Sequence, residues 1–252
     1  MATEELVVDV SQDWVLACDV QQRFMQAPGG TSDFVDYSAR CRQVRALGGD
    51  CFDFLPLPDR RLAFLVGDAS GKGLAAALMI ANVQSSLRTA ALFTGDVLAA
   101  LLSIVNRQAY HSSLANHYAT LFYGVFDGTT RSLRYVNAGH NPAIVVRSNG
   151  SFEWLETGGA PVGMFADSEY RESVVQLQGG DLVIAYTDGV VEAANPQGEQ
   201  WGVSGLLEAI AESQRSHVRD AEDIVPIIWN SMDEFSNGVQ ADDATLAITR
   251  VM

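Results

Sequence analysis

The sequence contains little positive charge, few cysteines and no long hydrophobic run. Sixteen Lys and Arg stand against 31 Asp and Glu, which gives 252 residues a formal net charge of −15. A chain this acidic lacks the electrostatic footprint of a protein that binds DNA, RNA or anionic lipid. We therefore expect neither a nucleic-acid partner nor a membrane partner.

The short apolar runs and the few cysteines also limit where the chain is expected to act. The longest runs, 74–81 and 97–105, are too short to span a bilayer, and the N-terminal segment lacks the regions of a signal peptide. Cys18, Cys41 and Cys51 form no CxxC pair, and an odd number argues against a disulfide framework. These features predict reduced thiols and a cytoplasmic location.

Apolar residues are plentiful, and their spacing predicts the order of helices and strands. Regular βαβ alternation is absent, so a doubly wound parallel sheet is not expected. The pattern favours an α+β fold: a four-layer αββα sandwich of two mostly antiparallel sheets flanked by helices. We expect an N-terminal helical segment, 1–26, before one domain, 27–252. Helices are predicted at 11–26, 72–93, 96–112, 203–213 and 220–235, and strands within 34–69, 118–187 and 244–251.

The stretch "LVGDASGKGLAAALMIANVQ" at 65–84 resembles several functional loops. A P-loop requires Ser or Thr after Gly-Lys, but Gly73 stands there, and Val66 occupies the place of its first glycine. The nucleophile elbow G-x-S-x-G also fails around Ser70. The G-x-G-x-x-[GA] dinucleotide pattern matches from Gly71, but Asp68 would repel a pyrophosphate and a second helix follows the first. A nucleotide-binding module is thus a distant alternative.

Aspartates at strand ends carry the stronger signal. Each lies where an apolar strand pattern meets a turn, and strand ends bring distant residues together on one rim. Clustered carboxylates repel one another unless a cation is present, and an all-oxygen ligand set favours Mg²⁺ or Mn²⁺. The four histidines show no HxxxH spacing for zinc. The aspartates are Asp50, Asp68, Asp188, Asp242 and Asp243.

With these residues in view, the chain resembles the PPM family of metal-dependent serine/threonine phosphatases, and within it the bacterial SpoIIE/RsbU-type branch. The similarity covers about residues 20–251 in family order. Its motifs are "RALGGDCFDF", "LAFLVGDASGKGLAAALMIA", "YATLFYGVFD", "LRYVNAGHNPAIVV", "GAPVGMF", "DLVIAYTDGVVEAANPQGEQWG" and "DDATLAITRV".

The resemblance implies a site with two ions, Mn²⁺ or Mg²⁺. Asp50 and Asp68 would hold the metals with Asp68 bridging, and the Ala69 carbonyl would be a further ligand. Asp188 and Asp242 would complete the shell, with Asp243 as the replacement if Asp242 turns away.

Other motif residues receive roles by the same resemblance. Arg45 would hold the substrate phosphate, or else pair with surface carboxylates. His140 would anchor a loop rather than act as a catalyst, and Ser70 would cap the helix that follows rather than act as a nucleophile. Lys72 would be a solvated lysine at the start of that helix, or else would approach the phosphate. Gly71 and Gly73 would allow a tight turn.

The implied reaction is hydrolysis of phosphoserine or phosphothreonine by a metal-activated water, without a phosphoenzyme. The implied substrate resembles an anti-anti-sigma factor, and the segment 11–26 would allow control by a partner or a homodimer. No sensor domain is expected within this sequence. A catalytically weak pseudophosphatase that binds a phosphoprotein is the alternative.

Overall fold

Two sheets stacked face to face form the centre of the molecule. The computed structural model describes residues 2–25, 29–93, 97–216 and 218–252, with only the backbone described for 2–11. Within these residues, the first sheet has six strands and only antiparallel pairs. Its strands are β1 (Gly29–Thr31), β2 (Val35–Arg42), β7 (Ala143–Val146), β8 (Phe152–Leu155), β11 (Leu182–Tyr186) and β12 (Ala244–Val251).

The second sheet also has six strands, of which one, a two-residue strand, pairs in parallel. Four of its strands follow one another as antiparallel neighbours, β3 to β6. Such meanders need only short connections, consistent with the turn signals between these segments. The strands are β3 (Asp50–Leu57), β4 (Arg61–Ala69), β5 (Ala119–Asp127), β6 (Ser132–Ala138), β9 (Gly158–Gly159) and β10 (Ser173–Gln176).

Helices cover the outer face of each sheet. Helices α2 and α3 pack on the second sheet, and α5 and α6 pack on the first. This arrangement confirms the predicted four-layer αββα sandwich. The helices are α1 (Ala2–Phe24), α2 (Leu74–Ala91), α3 (Leu98–Ser112), α4 (Asp188–Val191), α5 (Gly202–Arg215) and α6 (Ala221–Ser236).

Three apolar layers hold the sandwich together. The central one lies between the sheets and contains the tilted rings of Phe54, Phe64 and Phe122, with successive centroids 6.4 and 5.8 Å apart. The outer layers contain buried helix residues such as Leu101 of α3 and Trp229 of α6. Full burial of one such side chain contributes roughly 1.5–3 kcal/mol, so the layers fix the relative positions of the strand ends.

The structure corrects several predicted elements. The first helix begins at Ala2 rather than at residue 11, and the end of the predicted range, residue 26, lies outside the described residues. The start of the predicted helix 96–112 also lies outside them; the helix is described from Leu98. Strands β1 and β9 and the four-residue helix α4 were not predicted, because segments of two to four residues are too short to show a period.

Candidate metal centre

The predicted aspartates lie together at one rim of the sandwich. Asp50 is the first residue of β3 and faces Asp68 of β4 directly in the pairing register. Asp188 follows β11, and the pair Asp242-Asp243 precedes β12. Because β11 and β12 are antiparallel neighbours, the end of one and the start of the other fall at the same edge. The structure therefore places all five carboxylates at the same rim.

Asp50 forms hydrogen bonds that connect the two sheets. Its Oδ2 accepts a hydrogen bond from Thr187 Oγ1 at 2.7 Å and another from Thr245 Oγ1 at 2.8 Å. Both threonines belong to the first sheet or its edge, while Asp50 begins the second. Burial nevertheless raises the pKa of Asp50 well above its usual range, and the negative charge of Asp68 adds to the rise. The site therefore holds a carboxylate that lacks a countercharge.

Asp68 also lacks a sufficient countercharge, as its raised pKa shows. Burial, followed by the charges of Asp188, Asp242 and Asp243, raises the pKa of Asp68 to about 7, and Lys72 opposes the rise. The pKa of Asp188 is also raised, first by burial and then by Asp242. Next to Asp68, the buried carbonyl of Ala69 lies 2.8 Å from the position that a Cβ on Gly49 would occupy. Such a donor set, rich in oxygen and negative charge, fits hard divalent cations.

The two adjacent aspartates before β12 have different surroundings. Asp243 is 9% exposed, and its carboxylate accepts hydrogen bonds from the backbone N–H groups of Val44 at 2.7 Å and Gly49 at 2.9 Å. Asp242 forms an ion pair with Lys72, Nζ to Oδ2 2.7 Å, and its side chain is 44% exposed. Thus Asp243 is fixed to the loop before β3, whereas Asp242 faces the open rim.

Two cationic side chains flank this rim. Arg45 lies on the exposed loop before β3, and its Nη1 is 3.6 Å from the position that a Cβ on Gly73 would take. The pKa of Lys72 is raised, mainly by its hydrogen bond to Asp242, although the positive charge of nearby Arg45 opposes the rise. The Lys72 side chain is 43% exposed, in agreement with the predicted solvated lysine, and its ion pair with Asp242 adds to that prediction.

The loop from Ser70 to Gly73 differs in part from its predicted role. Gly71 and Gly73 have φ values of 91° and 78°, which favour glycine and confirm the predicted tight turn. Gly73 is at the N-cap of α2, where no side chain caps the helix. The predicted capping role of Ser70 is wrong, because its Oγ instead accepts the N–H of Tyr118 at 3.0 Å.

His140 lies behind the rim and stabilises a loop, as predicted. Its backbone N–H donates to Asn137 Oδ1 at 2.7 Å, and its Nδ1 is 2.8 Å from Thr120 Oγ1. Burial lowers the pKa of His140 to about 4, so the ring is neutral. The ring supports β5 beside Asp68, since Thr120 is paired with Asp68 in the sheet.

Three supporting residues had not been singled out from the sequence. Thr187 and Thr245 stand one residue before Asp188 and two after Asp243, so the motifs themselves contained them. The third, Gln21, joins α1 to the loop before Asp50: its Nε2 donates to the Gly48 carbonyl at 2.7 Å, and the Gly48 N–H donates back to its Oε1 at 3.2 Å. Only the helical prediction for this segment could have pointed to that contact.

The carboxylates are close, but they do not converge as bound-ion ligands do. Within the described residues, no group of three or more His, Cys, Asp or Glu side chains is arranged to hold an ion. Lys72 and the backbone donors to Asp243 account for part of this arrangement, since they engage carboxylate oxygens of the Asp242-Asp243 pair.

None of the described helices is both long and apolar enough to cross a membrane.

The fold matches solved structures of PP2C-type phosphatase domains. The SiaA-PP2C domain of Pseudomonas aeruginosa superposes with a TM-score of 0.78 at 19% identity, covering 99% of this chain and 99% of that one. The catalytic domain of the serine/threonine protein phosphatase PstP, solved in complex with two manganese ions, matches with a TM-score of 0.62 at 18% identity, over 87% and 99%. At these identities the likeness defines the fold: a PP2C-type domain.

The family follows from the sequence itself. The family model described as stage II sporulation protein E (SpoIIE) matches residues 58–252, and the chain belongs to this family. Protein IcfG of Synechocystis sp. is 29% identical over 90% of this chain, and the chain spans 39% of its length. The phosphoserine phosphatase RsbU of Bacillus subtilis is 25% identical over 96% of this chain and 71% of its own length. The resemblance seen in the motifs is thereby confirmed.

Proposed function

We propose that this chain is a metal-dependent protein phosphatase that hydrolyses phosphoserine or phosphothreonine on a regulatory protein. The observation that carries the proposal is the rim where five aspartates meet and where the pKa of Asp68 is raised to about 7 by burial and by its neighbours. Membership of the SpoIIE family and the similarity to RsbU support the phosphatase activity. The manganese in PstP, whose domain has the same fold, supports Mn²⁺ or Mg²⁺ as the cofactor.

Asp50, Asp68, the Ala69 carbonyl, Asp188 and Asp242 would hold two ions, with Asp68 shared between them. Bound there, divalent cations supply an activated water and neutralise charge on the phosphoryl oxygens. Both oxygens of Asp242 are engaged, by the Asp243 N–H and by Lys72, and those of Asp243 accept backbone hydrogen bonds. Asp242 is the better candidate of its pair, because its side chain is 44% exposed at the rim, whereas Asp243 is 9% exposed. Asp242 would then have to exchange its ion pair with Lys72 for the cation.

The surrounding residues orient these groups. Thr187 and Thr245 donate to Asp50 and so favour its charged form in one rotamer. Arg45 and Lys72 stand beside the rim, where guanidinium and ammonium groups bind phosphate oxygens.

The substrate we propose is a small phosphorylated regulator resembling an anti-anti-sigma factor. The support is the resemblance to the SpoIIE/RsbU-type branch and the name of RsbU as a phosphoserine phosphatase. The ion pair between Lys72 and Asp242 favours one second candidate, a catalytically weak pseudophosphatase that binds phosphoprotein, because Lys72 occupies a proposed ligand.

One assay separates these candidates. Phosphate release from p-nitrophenyl phosphate and from a phosphoserine peptide is measured with Mn²⁺, with chelator, and with Asp68→Asn as the control. The phosphatase requires Mn²⁺-dependent release that the substitution abolishes. Binding of the phosphopeptide without turnover would establish the pseudophosphatase, and nucleotide binding without hydrolysis would favour a nucleotide-binding module.

We also propose that α1 pairs with a second copy of the chain. Trp14, Val15, Leu16 and Val20 on this helix are 40–60% exposed, an unusual density of exposed apolar side chains on an acidic chain. The proposal predicts that Val15→Ser with Leu16→Ser converts dimers to monomers in light scattering, whereas Val239→Ser, at a site that is 66% exposed, does not. Deletion of residues 1–26 with no change in activity or oligomeric state would refute it.

A further inference from the structure

A shallow apolar groove opens between α2 and the end of α3, beside the candidate metal centre. Its volume is about 310 Å³, and its walls include Leu78, Met79, Asn82 and Leu114. The walls are fixed by hydrogen bonds, from Asn82 Nδ2 to Ser112 Oγ at 2.8 Å and from Ser113 Oγ to Met79 Sδ at 3.0 Å. The groove is therefore a formed feature of the surface.

Large apolar side chains face solvent along this groove. Leu78 is 65% exposed and Leu114 is 70% exposed. Leu74, one turn before Leu78 on the same face of α2, is 45% exposed and extends the apolar surface towards the metal centre. Covering such side chains would remove apolar area from water and so favour a bound partner.

The groove is continuous with the loop that carries the candidate metal ligands. His117 lines the groove, and the next residue, Tyr118, exchanges two hydrogen bonds with Ser70. Ser70 N–H donates to the Tyr118 carbonyl at 2.8 Å, and Tyr118 N–H donates to Ser70 Oγ at 3.0 Å. Ser70 directly follows the candidate ligands Asp68 and Ala69, so these hydrogen bonds join the ligand loop to the segment that lines the groove.

The charge of the groove also suits a phosphorylated substrate. The chain has 31 acidic residues, yet in the part that the structure describes no Asp, Glu, Lys or Arg side chain lines this groove. An anionic phosphopeptide that follows it therefore meets no like charge, and its apolar side chains meet leucines. Polar side chains of the lining hydrogen-bond within it, Asn82 to Ser112 and Ser113 to Met79, which disfavours polar residues in the bound segment.

We infer that this groove binds apolar residues next to the phosphoserine of the protein substrate, with Leu78 and Leu114 as the main contacts. The inference rests on the proposed function only in placing the substrate's phosphate at the aspartate rim. α2 rises about 1.5 Å per residue, so Leu78 lies roughly 8 Å beyond Gly73, and an extended peptide covers about 3.3 Å per residue. The apolar residues then stand roughly two to four positions from the phosphoserine.

The test compares two peptides that carry a hydrolysis-resistant phosphonate analogue of phosphoserine. One has Leu at the positions two to four residues from the analogue, and the other has Ser there. Binding is measured by fluorescence anisotropy with Mn²⁺ present. The wild-type chain is expected to bind the Leu peptide about 10-fold more tightly, because the groove covers apolar side chains.

Matched variants locate the effect. Leu78→Ser with Leu114→Ser is expected to reduce the preference to less than about twofold. The control variant is Phe152→Ser with Val174→Ser, which removes apolar side chains that are 46% and 49% exposed on β8 and β10 and do not line the groove. It is expected to keep the preference for the Leu peptide. Thermal melts followed by circular dichroism confirm that each variant is folded.

Equal binding of both peptides to the wild-type chain, no binding of either, or an unchanged preference in the Leu78/Leu114 variant would overturn the inference. The proposed function fails by a separate result, the absence of Mn²⁺-dependent hydrolysis of p-nitrophenyl phosphate by the wild-type chain. Because the peptides cannot be hydrolysed, the groove is tested whether or not the chain is active.

Discussion

At the scale of single residues, the neighbouring aspartates before β12 have separate tasks. Asp243 accepts two backbone hydrogen bonds from the loop that precedes β3, and Asp242 meets Lys72 at the open rim. A buried carboxylate that accepts backbone N–H groups stabilises the fold, whereas an exposed ion pair contributes little. The pair thus combines a structural aspartate with a candidate metal ligand.

This division predicts that substitution of Asp243 affects mainly stability and that substitution of Asp242 affects mainly Mn²⁺ binding. We expect Asp243→Ala to lower the free energy of unfolding in chelator by about 1–3 kcal/mol, because two buried backbone donors lose their acceptor. Asp242→Asn should change it by less than about 1 kcal/mol, since the ion pair it removes is exposed, yet it should weaken Mn²⁺ binding. Urea denaturation and Mn²⁺ titration measure the two effects. A greater loss of stability from Asp242→Asn than from Asp243→Ala would contradict the assignment.

The carboxylates also predict how the stability of the metal-free chain depends on pH. The pKa of Asp68 is raised to about 7 in the folded chain, so between its ordinary value and about 7 the folded state binds more protons than the unfolded state. The contribution of Asp68 to the free energy of unfolding in chelator should therefore fall as pH rises from about 4 to about 7. Asp50 and Asp188 act in the same direction, because their pKa values are raised too. Buried His140 acts in the opposite direction, because its pKa is lowered to about 4.

Asp68→Asn serves as the control for this pH dependence. Since the amide does not titrate, the variant should lose part of the decline and be the more stable chain at pH 7 in chelator. Denaturation curves at several pH values provide the comparison. A slope of stability against pH that the substitution does not alter would show that the carboxylates do not repel one another as described.

At the scale of elements, the rim depends on the close approach of loops to strand ends. A Cβ on Gly48 would lie 2.3 Å from Asp243 Oδ2, nearer than non-bonded atoms approach. We expect Gly48→Ala to displace the Asp243 carboxylate, to lower stability by about 1–3 kcal/mol and to weaken Mn²⁺ binding. Gly179→Ala is the matched control, because the nearest atom to its Cβ would be 3.7 Å away. Equal stability of the two variants would rule out this steric requirement.

Most helices and strands, and the shared rim of the aspartates, could be predicted from the sequence. The long helices and most strands follow from apolar periodicity, and the aspartates were predicted to share a rim because each stands at a strand end. The helix α4 was missed, since four residues beginning at Asp188 look like a turn. The choice between Asp242 and Asp243 could not be made, because it depends on N–H groups of Val44 and Gly49, more than 190 positions earlier in the chain.

At the scale of the whole molecule, an acidic protein is proposed to bind an anionic substrate. The formal charge of −15 opposes that encounter, and the aspartates at the rim add to the opposition locally. Cations held at the rim would reverse the local field, as bound ions generally dominate the charge of their sites. On this account the fold brings distant strand ends together, and metal binding turns the resulting repulsion into affinity for phosphate.

The most direct test is a Mn²⁺ titration in which bound ions and phosphate release from a phosphoserine peptide are followed on the same sample. We predict two ions per chain, release that rises with occupancy and stops in chelator, and a loss of more than about 100-fold in Asp68→Asn, beyond that caused by residues that only orient metal ligands. Release that continues in chelator, or that Asp68→Asn retains, would contradict the account.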